Sequence, residues 1–234
     1  FCQFVADKQE TATAKTAEEK GIKFVADCQV AFSDRDEWAY QYLFIKKYKL
    51  GCPPDYFSKT GQAWNFPVLN PEKIFNKDGS LGPAGEFLKN KFKRLFEKNK
   101  GGIRIDHIIG LIDPYVYPEG VKNTREGGGR LYSSPEHKDL SKFALVDIND
   151  LDPEEEFYDE NRVLYQKLDD KKVKNYARVI QIVLDAAKEA GIKNPKEALI
   201  CEDLGTLTNP TKKVMDQFNL NGMRVTMFVD PDKE

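Results

Sequence analysis

Ile103-Arg104-Ile105-Asp106 and, further along the chain, Ala198-Leu199-Ile200-Cys201-Glu202 decide how this sequence folds. Each is a short apolar run closed by a carboxylate. Side chains alternate across a strand, so Arg104 and Asp106 share one face while Ile103 and Ile105 share the other. Ala198, Ile200 and Glu202 likewise oppose Leu199 and Cys201. Residues 22–26 read as another strand, ending at Asp27, and residues 223–228 as a fourth. Helical patterns lie between them. Residues 7–20 are rich in Ala, Glu and Lys and stop at Gly21. Leu88, Phe92, Leu95 and Phe96 recur at helical spacing. Tyr176, Val179, Ile180, Val183, Leu184 and Ala187 mark one face of an amphipathic helix that ends by Gly191. Residues 36–47 read as a helix and 51–71 as an aromatic, proline-bearing loop. Asn209 and Pro210 read as the N-cap and first residue of a short helix. Such alternation is the pattern of a parallel α/β architecture. Periodicity does not separate a doubly wound sheet from a (β/α)8 TIM barrel. Three strands each ending in a carboxylate favour the barrel, whose enzymes gather catalytic residues at the C-terminal ends of several strands.

The rest of the composition narrows the function. The chain has 234 residues, with 36 basic and 38 acidic residues for a formal charge of −2. That balance argues against a nucleic-acid partner, which needs a concentrated basic surface. No apolar run approaches the ~18 residues of a membrane span. Cys2, Cys28, Cys52 and Cys201 are scattered without a CxxC pair, and only two histidines accompany them. We therefore expect no metal, no cofactor, and free thiols in a reducing cytoplasm.

Two strand-end carboxylates are the minimum for retaining glycoside chemistry. One attacks the anomeric carbon; the other protonates the leaving oxygen and later deprotonates the acceptor. Asp106 and Glu202 fit those roles, and Arg104, on the same face as Asp106, would keep it ionised. Taken alone, each motif is more often a salt bridge or the cap of the next helix than a catalytic group.

A longer motif adds weight. Gly51-Cys52-Pro53-Pro54-Asp55-Tyr56-Phe57-Ser58-Lys59-Thr60-Gly61-Gln62-Ala63-Trp64 closely resembles a signature of glycoside hydrolase family 77, the amylomaltases and disproportionating enzymes. Arg104–His107, Glu202–Gly205 and Gly222–Val225 resemble further landmarks of that family in the same order. The resemblance implies a (β/α)8 barrel of the α-amylase superfamily that acts as a 4-α-glucanotransferase. It implies Asp106 as nucleophile and Glu202 as acid/base. It also implies Arg104 and His107 as sugar contacts beside the nucleophile, and Asp55, Tyr56, Phe57, Gln62 and Trp64 as parts of a substrate loop. Flat aromatics among short polar groups suit malto-oligosaccharides and other α-1,4-glucans, whose rings offer apolar faces and a hydroxyl rim. A small satellite core is the other reading of these aromatics.

Asp27 resembles an active-site aspartate after the family's third strand. The family's Pro two residues later is Gln29 here, so Asp27 either joins the site or caps a turn. Asp203 points away from Glu202 and reads as an anchor for the following loop. The separation of Asp106 from Glu202 implies an insertion within residues 113–169. The expected unit is therefore residues 1–234 as the central part of a barrel, about strands 3 to 6, with raw sheet edges and Val25, Ile200 and Val225 uncovered. The family's third carboxylate and first two strands have no counterpart in these residues. α-Glucan hydrolysis and non-catalytic glucan binding remain the alternative functions.

Overall fold

The computed structural model describes residues 1–55, 58–156, 164–166, 168–204 and 207–225. In chain order the elements are α1 (Cys2–Glu19), β1 (Val25–Gln29), α2 (Asp34–Ala39), β2 (Phe44–Cys52), β3 (Gln62–Leu69), α3 (Pro71–Ile74), α4 (Pro83–Lys98), β4 (Gly102–Asp106), α5 (Ile109–Ile112), β5 (Tyr115–Pro118), β6 (Gly129–Arg130), β7 (Leu151–Glu156), β8 (Leu164–Gln166), α6 (Asp170–Tyr176), α7 (Arg178–Glu189), β9 (Leu199–Cys201), α8 (Asn209–Phe218) and β10 (Asn221–Gly222).

The central sheet runs β1-β4-β9-β10, with every neighbouring pair parallel. Spatial order equals chain order, with no reversal among these strands. A barrel grows this way, each new strand laid beside the last, whereas a doubly wound sheet reverses its order at a switch point. The architecture is thus a segment of a (β/α)8 barrel, with β1 and β10 at its edges. Val25 is 49% and Ile200 37% exposed on its uncovered face, while Val225 is half-buried.

The helices form where the apolar spacing is helical. Gly82 precedes Pro83 at the start of α4, where a missing N–H costs nothing. Leu88, Phe92 and Phe96 then bury one stripe. α7 buries Val179, Ile180, Val183, Leu184 and Ala187 and packs against α4. Ile103, Ile105, Leu199 and Cys201 present the other face of the central sheet to this layer and are fully buried. Each such side chain contributes roughly 1.5–3 kcal/mol by leaving water. The opposite face of the same strands, bearing Asp27, Arg104, Asp106 and Glu202, is thereby left polar and uncovered. α8 starts one residue earlier than its sequence suggests, with Thr208 as N-cap rather than Asn209.

Two expectations about the intervening chain are corrected. The helix over 36–47 ends at Ala39, and residues from Phe44 onward form β2. β2 pairs antiparallel with both β3 and β5, and this pairing on two sides overrides local helix propensity. The loop over 51–71 shrinks to residues 53–61, because Gln62–Leu69 is strand. Pro67 is tolerated there because β3 is an edge in the order β3-β2-β5-β6. The region 113–169, read from sequence as an insertion without visible elements, supplies β5 and β6 to this second sheet and forms the β7–β8 ribbon. No helix among the described residues is long and apolar enough to cross a membrane.

Candidate active site

Register brings the polar residues together. In the β1–β4–β9 ladder Asp27 lies beside Arg104, which lies beside Ile200; Gln29 lies beside Asp106. The ladder continues past Cys201: Glu202 N donates to Ile105 O at 2.9 Å and Ile108 N donates to Glu202 O at 3.1 Å. Asp106 and Glu202 therefore stand at the C-terminal ends of neighbouring strands, which lie ~4.8 Å apart in a sheet.

Arg104 ties the face together. Its Nη1 meets Asp27 Oδ1 at 2.7 Å and its Nη2 meets Asp106 Oδ1 at 2.8 Å. Its Nε donates to Met223 Sδ at 3.4 Å, from the loop after β10. The Asp27 hydrogen bond, helped by Asp106, holds the guanidinium above its ordinary range against the cost of burial. Asp27 sits inside β1 rather than at its end, since the strand runs on to Gln29, and its carboxylate is spent on Arg104 rather than on a turn.

His107 leaves β4 at φ +60°, a left-handed conformation rare outside glycine. This turn aims its N–H at Glu202 Oε2, 2.8 Å away, while Leu204 N donates to Oε1 at 2.9 Å. Burial, with the Arg130 charge adding to it, pushes the His107 imidazole down to about 4, so it is neutral at physiological pH. Its Nε2 is buried without a hydrogen-bond partner among the described residues. A buried ring nitrogen without a partner is uncommon and costs stability.

The second sheet forms the opposite wall. Trp64 on β3 stands edge-on to the His107 ring, and its Nε1 donates to Gln62 Oε1 at 3.1 Å. Asp55 Oδ1 accepts from Ser58 N at 2.7 Å, shaping the β2–β3 connection. Gln29, Val30, Leu50, Trp64, Asp106 and His107 line a cavity of about 270 Å³ between the sheets. Tyr56 and Phe57 lie outside the described residues.

Met223 and Leu204 lie within the landmark stretches 222–225 and 202–205, but their contacts with Arg104 and Glu202 run through loops whose path no periodicity predicts. Other contributors carry no motif. Asp113 is fully buried; its Oδ1 accepts from Tyr132 N at 3.0 Å and its Oδ2 from the Ser133 hydroxyl. Burial pushes its carboxyl up to about 6, with Arg130 opposing. Arg130 donates to Asp113 O at 3.2 Å and covers the Tyr115 ring. A Cβ at Gly128 would come within 2.6 Å of the Tyr115 hydroxyl oxygen, so the chain segments approach closely here.

A parallel barrel sheet that gathers paired carboxylates at its C-terminal edge, facing an aromatic wall, defines a TIM-barrel enzyme class. Within it, the chain belongs to the 4-alpha-glucanotransferase family, glycoside hydrolase family 77, whose model matches residues 1–234. It is 28% identical over 242 aligned residues to the 4-alpha-glucanotransferase of Aquifex aeolicus, covering all of this chain and 38% of that protein. The crystal structure of amylomaltase from Corynebacterium glutamicum superposes with a TM-score of 0.66 at 20% identity, over 99% of this chain and 26% of that one. An amylomaltase from Streptococcus agalactiae in complex with acarbose gives 0.59 at 17%, over 94% and 35%. These two likenesses speak for the fold. The chain spans well under half the length of each of these relatives.

Proposed function

We propose that the protein is a 4-α-glucanotransferase that moves α-1,4-glucan segments between malto-oligosaccharides by double displacement. In this reading Asp106 attacks the anomeric carbon of the donor while Glu202 protonates the departing glycosidic oxygen. A covalent glycosyl–Asp106 ester results. Glu202, now ionised, takes the proton of an acceptor 4-hydroxyl, whose oxygen displaces Asp106 and restores the starting state. The observation that carries this is the adjacency of Asp106 and Glu202 on neighbouring parallel strands, which suits the short carboxyl separation of retention, roughly 5–5.5 Å, better than the wider gap of inversion.

The supporting groups follow. Arg104 engages Asp106 Oδ1, leaving Oδ2 as the attacking oxygen. Each Glu202 oxygen accepts one backbone N–H, and a carboxylate oxygen has a second lone pair free to carry the catalytic proton. Neutral His107 lines the cavity beside Asp106, and Trp64 offers a flat apolar surface to a ring. Asp55, Gln62, Tyr56 and Phe57 belong to the same glucan-binding connection, and residues 113–169 are an elaboration of one catalytic barrel. The scattered thiols suit a reducing cytoplasm.

Feeding maltotriose to the full-length protein tests the reading. Transfer yields free glucose and a ladder of longer oligomers without net new reducing ends. A net gain of reducing ends would instead mean hydrolysis, and binding without turnover would mean a non-catalytic relative.

A further inference from the structure

We propose that Thr124 is a positioning residue that clamps the neck of the β2–β3 connection and thereby sets Gln62 and Trp64 against His107. The proposal rests on the glucanotransferase reading for its kinetic consequence, although the clamp itself is a matter of geometry. Thr124 is fully buried. Its N–H donates to Thr60 O at 2.9 Å, and its Oγ1 lies 2.9 Å from Cys52 O and 3.2 Å from Thr60 O, so one hydroxyl proton is shared between the two ends of the connection. Its own carbonyl accepts from Tyr115 OH at 2.9 Å, fixing Thr124 to β5.

Two glycines make room for the clamp. A Cβ at Gly61, whose φ is +70°, would come within 2.0 Å of Thr124 Oγ1, and one at Gly128 within 2.0 Å of Thr124 O. Contacts so short forbid any side chain at either position, so the approach of the two segments is written into both.

The neck leads directly to the cleft wall. Cys52 is the register partner of Gln62, Gln62 Oε1 accepts from the Trp64 indole, and Trp64 meets His107. Inside the connection Ser58 Oγ donates to Gly61 O at 2.7 Å and Gly61 N to Ser58 O at 3.1 Å. The segment after β5 thus acts at a distance from the chemistry, through backbone carbonyls at the neck. Thr124 touches no reacting atom; its loss would shift the glucan-binding wall and leave the Asp106–Glu202 pair in place.

Thr124→Val keeps shape and β-branching but removes the hydroxyl, and Thr124→Ser restores it. Both are made in the full-length protein and normalised to folded molecules. Two readouts are taken: the rate of trypsin cleavage after the exposed Lys59, and the split between KM and kcat for long malto-oligosaccharides. Losing one buried hydrogen bond at the neck should speed Lys59 cleavage and raise KM by about tenfold each, with kcat changed less than threefold, and serine should recover both. Unchanged cleavage at Lys59 in the valine variant overturns the clamp. Faster cleavage with unchanged KM, or with kcat falling as far as KM rises, overturns the positioning role. If wild-type protein makes no oligomer ladder, the glucanotransferase reading fails, and the cleavage rates still decide the clamp.

Discussion

The indole of Trp64 meets the imidazole of His107 edge to face, with ring centroids 4.9 Å apart and planes at 83°. One ring comes from the antiparallel sheet and the other from the turn after a barrel strand, so this contact is where the two sheets close the cleft. Trp64 is half-buried and packs only on the border of the core. Trp64→Ala should therefore cost about 1–2 kcal/mol of stability, less than the 3–5 kcal/mol of a fully buried tryptophan. It should also raise KM for long glucans roughly tenfold, as one stacking surface is lost. A thermal melt together with KM for short and long malto-oligosaccharides checks this. A large loss of stability with unchanged kinetics per folded molecule would make Trp64 a core residue instead.

Arg104 bridges two carboxylates that lie on different strands, Asp27 and Asp106. These pairs are partly solvated, and such pairs stabilise a fold by about 1 kcal/mol or less. Arg104→Lys keeps the charge but has no planar fork to reach both partners. We expect the melting temperature to move little, while kcat falls about 100-fold because Asp106 loses its orientation. Asp106→Asn and Glu202→Gln remove the chemistry itself, and each should cost at least ~1,000-fold in kcat. Near-normal turnover in either would reassign the site.

How much of this was legible follows from where each interaction lives. The alternation of Ile103 and Ile105 with Arg104 and Asp106 is local to one strand, and it correctly separated the buried, helix-facing side from the polar side. Leu88, Phe92 and Phe96 announced α4 for the same reason. β2 was misread because Phe44, Tyr48 and Leu50 are held in a strand by partners on β3 and β5, far along the chain, and not by their neighbours. Thr124, Arg130 and Asp113 escaped notice because their value lies in backbone carbonyls and amides contributed by distant segments. No residue pattern encodes a hydrogen bond to Cys52 O.

Asp113 and His107 pull the pH dependence of stability in opposite directions. The folded state keeps His107 neutral down to about 4. Its contribution is therefore full above the ordinary value near 6.5 and is lost as pH falls toward 4, where the unfolded chain binds the extra proton. Asp113 holds its proton in the fold up to about 6, whereas the unfolded carboxyl releases it near 3.8. Its contribution is lost as pH rises through that window. Each effect is on the order of 3 kcal/mol, so between about pH 4 and 6 they largely offset. Asp113→Asn removes one and should leave stability climbing more steeply with pH across that interval. Urea midpoints of both proteins at several pH values check this, and parallel profiles would contradict it.

Asp203 anchors the last described strand to the site. Its Oδ1 accepts from Met223 N at 2.8 Å, its Oδ2 lies 3.7 Å from Arg224 Nη1, and its side chain is only 11% exposed. A Cβ at Gly222 would fall within 2.3 Å of Oδ2, so the carboxylate rests directly on the backbone at the end of β10. Met223, positioned this way, gives its sulfur to Arg104 Nε. Asp203→Ala strands the Met223 N–H in a partly buried place, at a cost of about 1–3 kcal/mol. Asp203→Asn keeps an acceptor oxygen and should recover most of that loss. Because Met223 then drifts from Arg104, the alanine variant should also lower kcat a fewfold, with KM less affected. Urea unfolding and steady-state kinetics on the three full-length proteins measure both effects. Equal stability of the alanine and wild-type proteins would show that Asp203 does not anchor the strand.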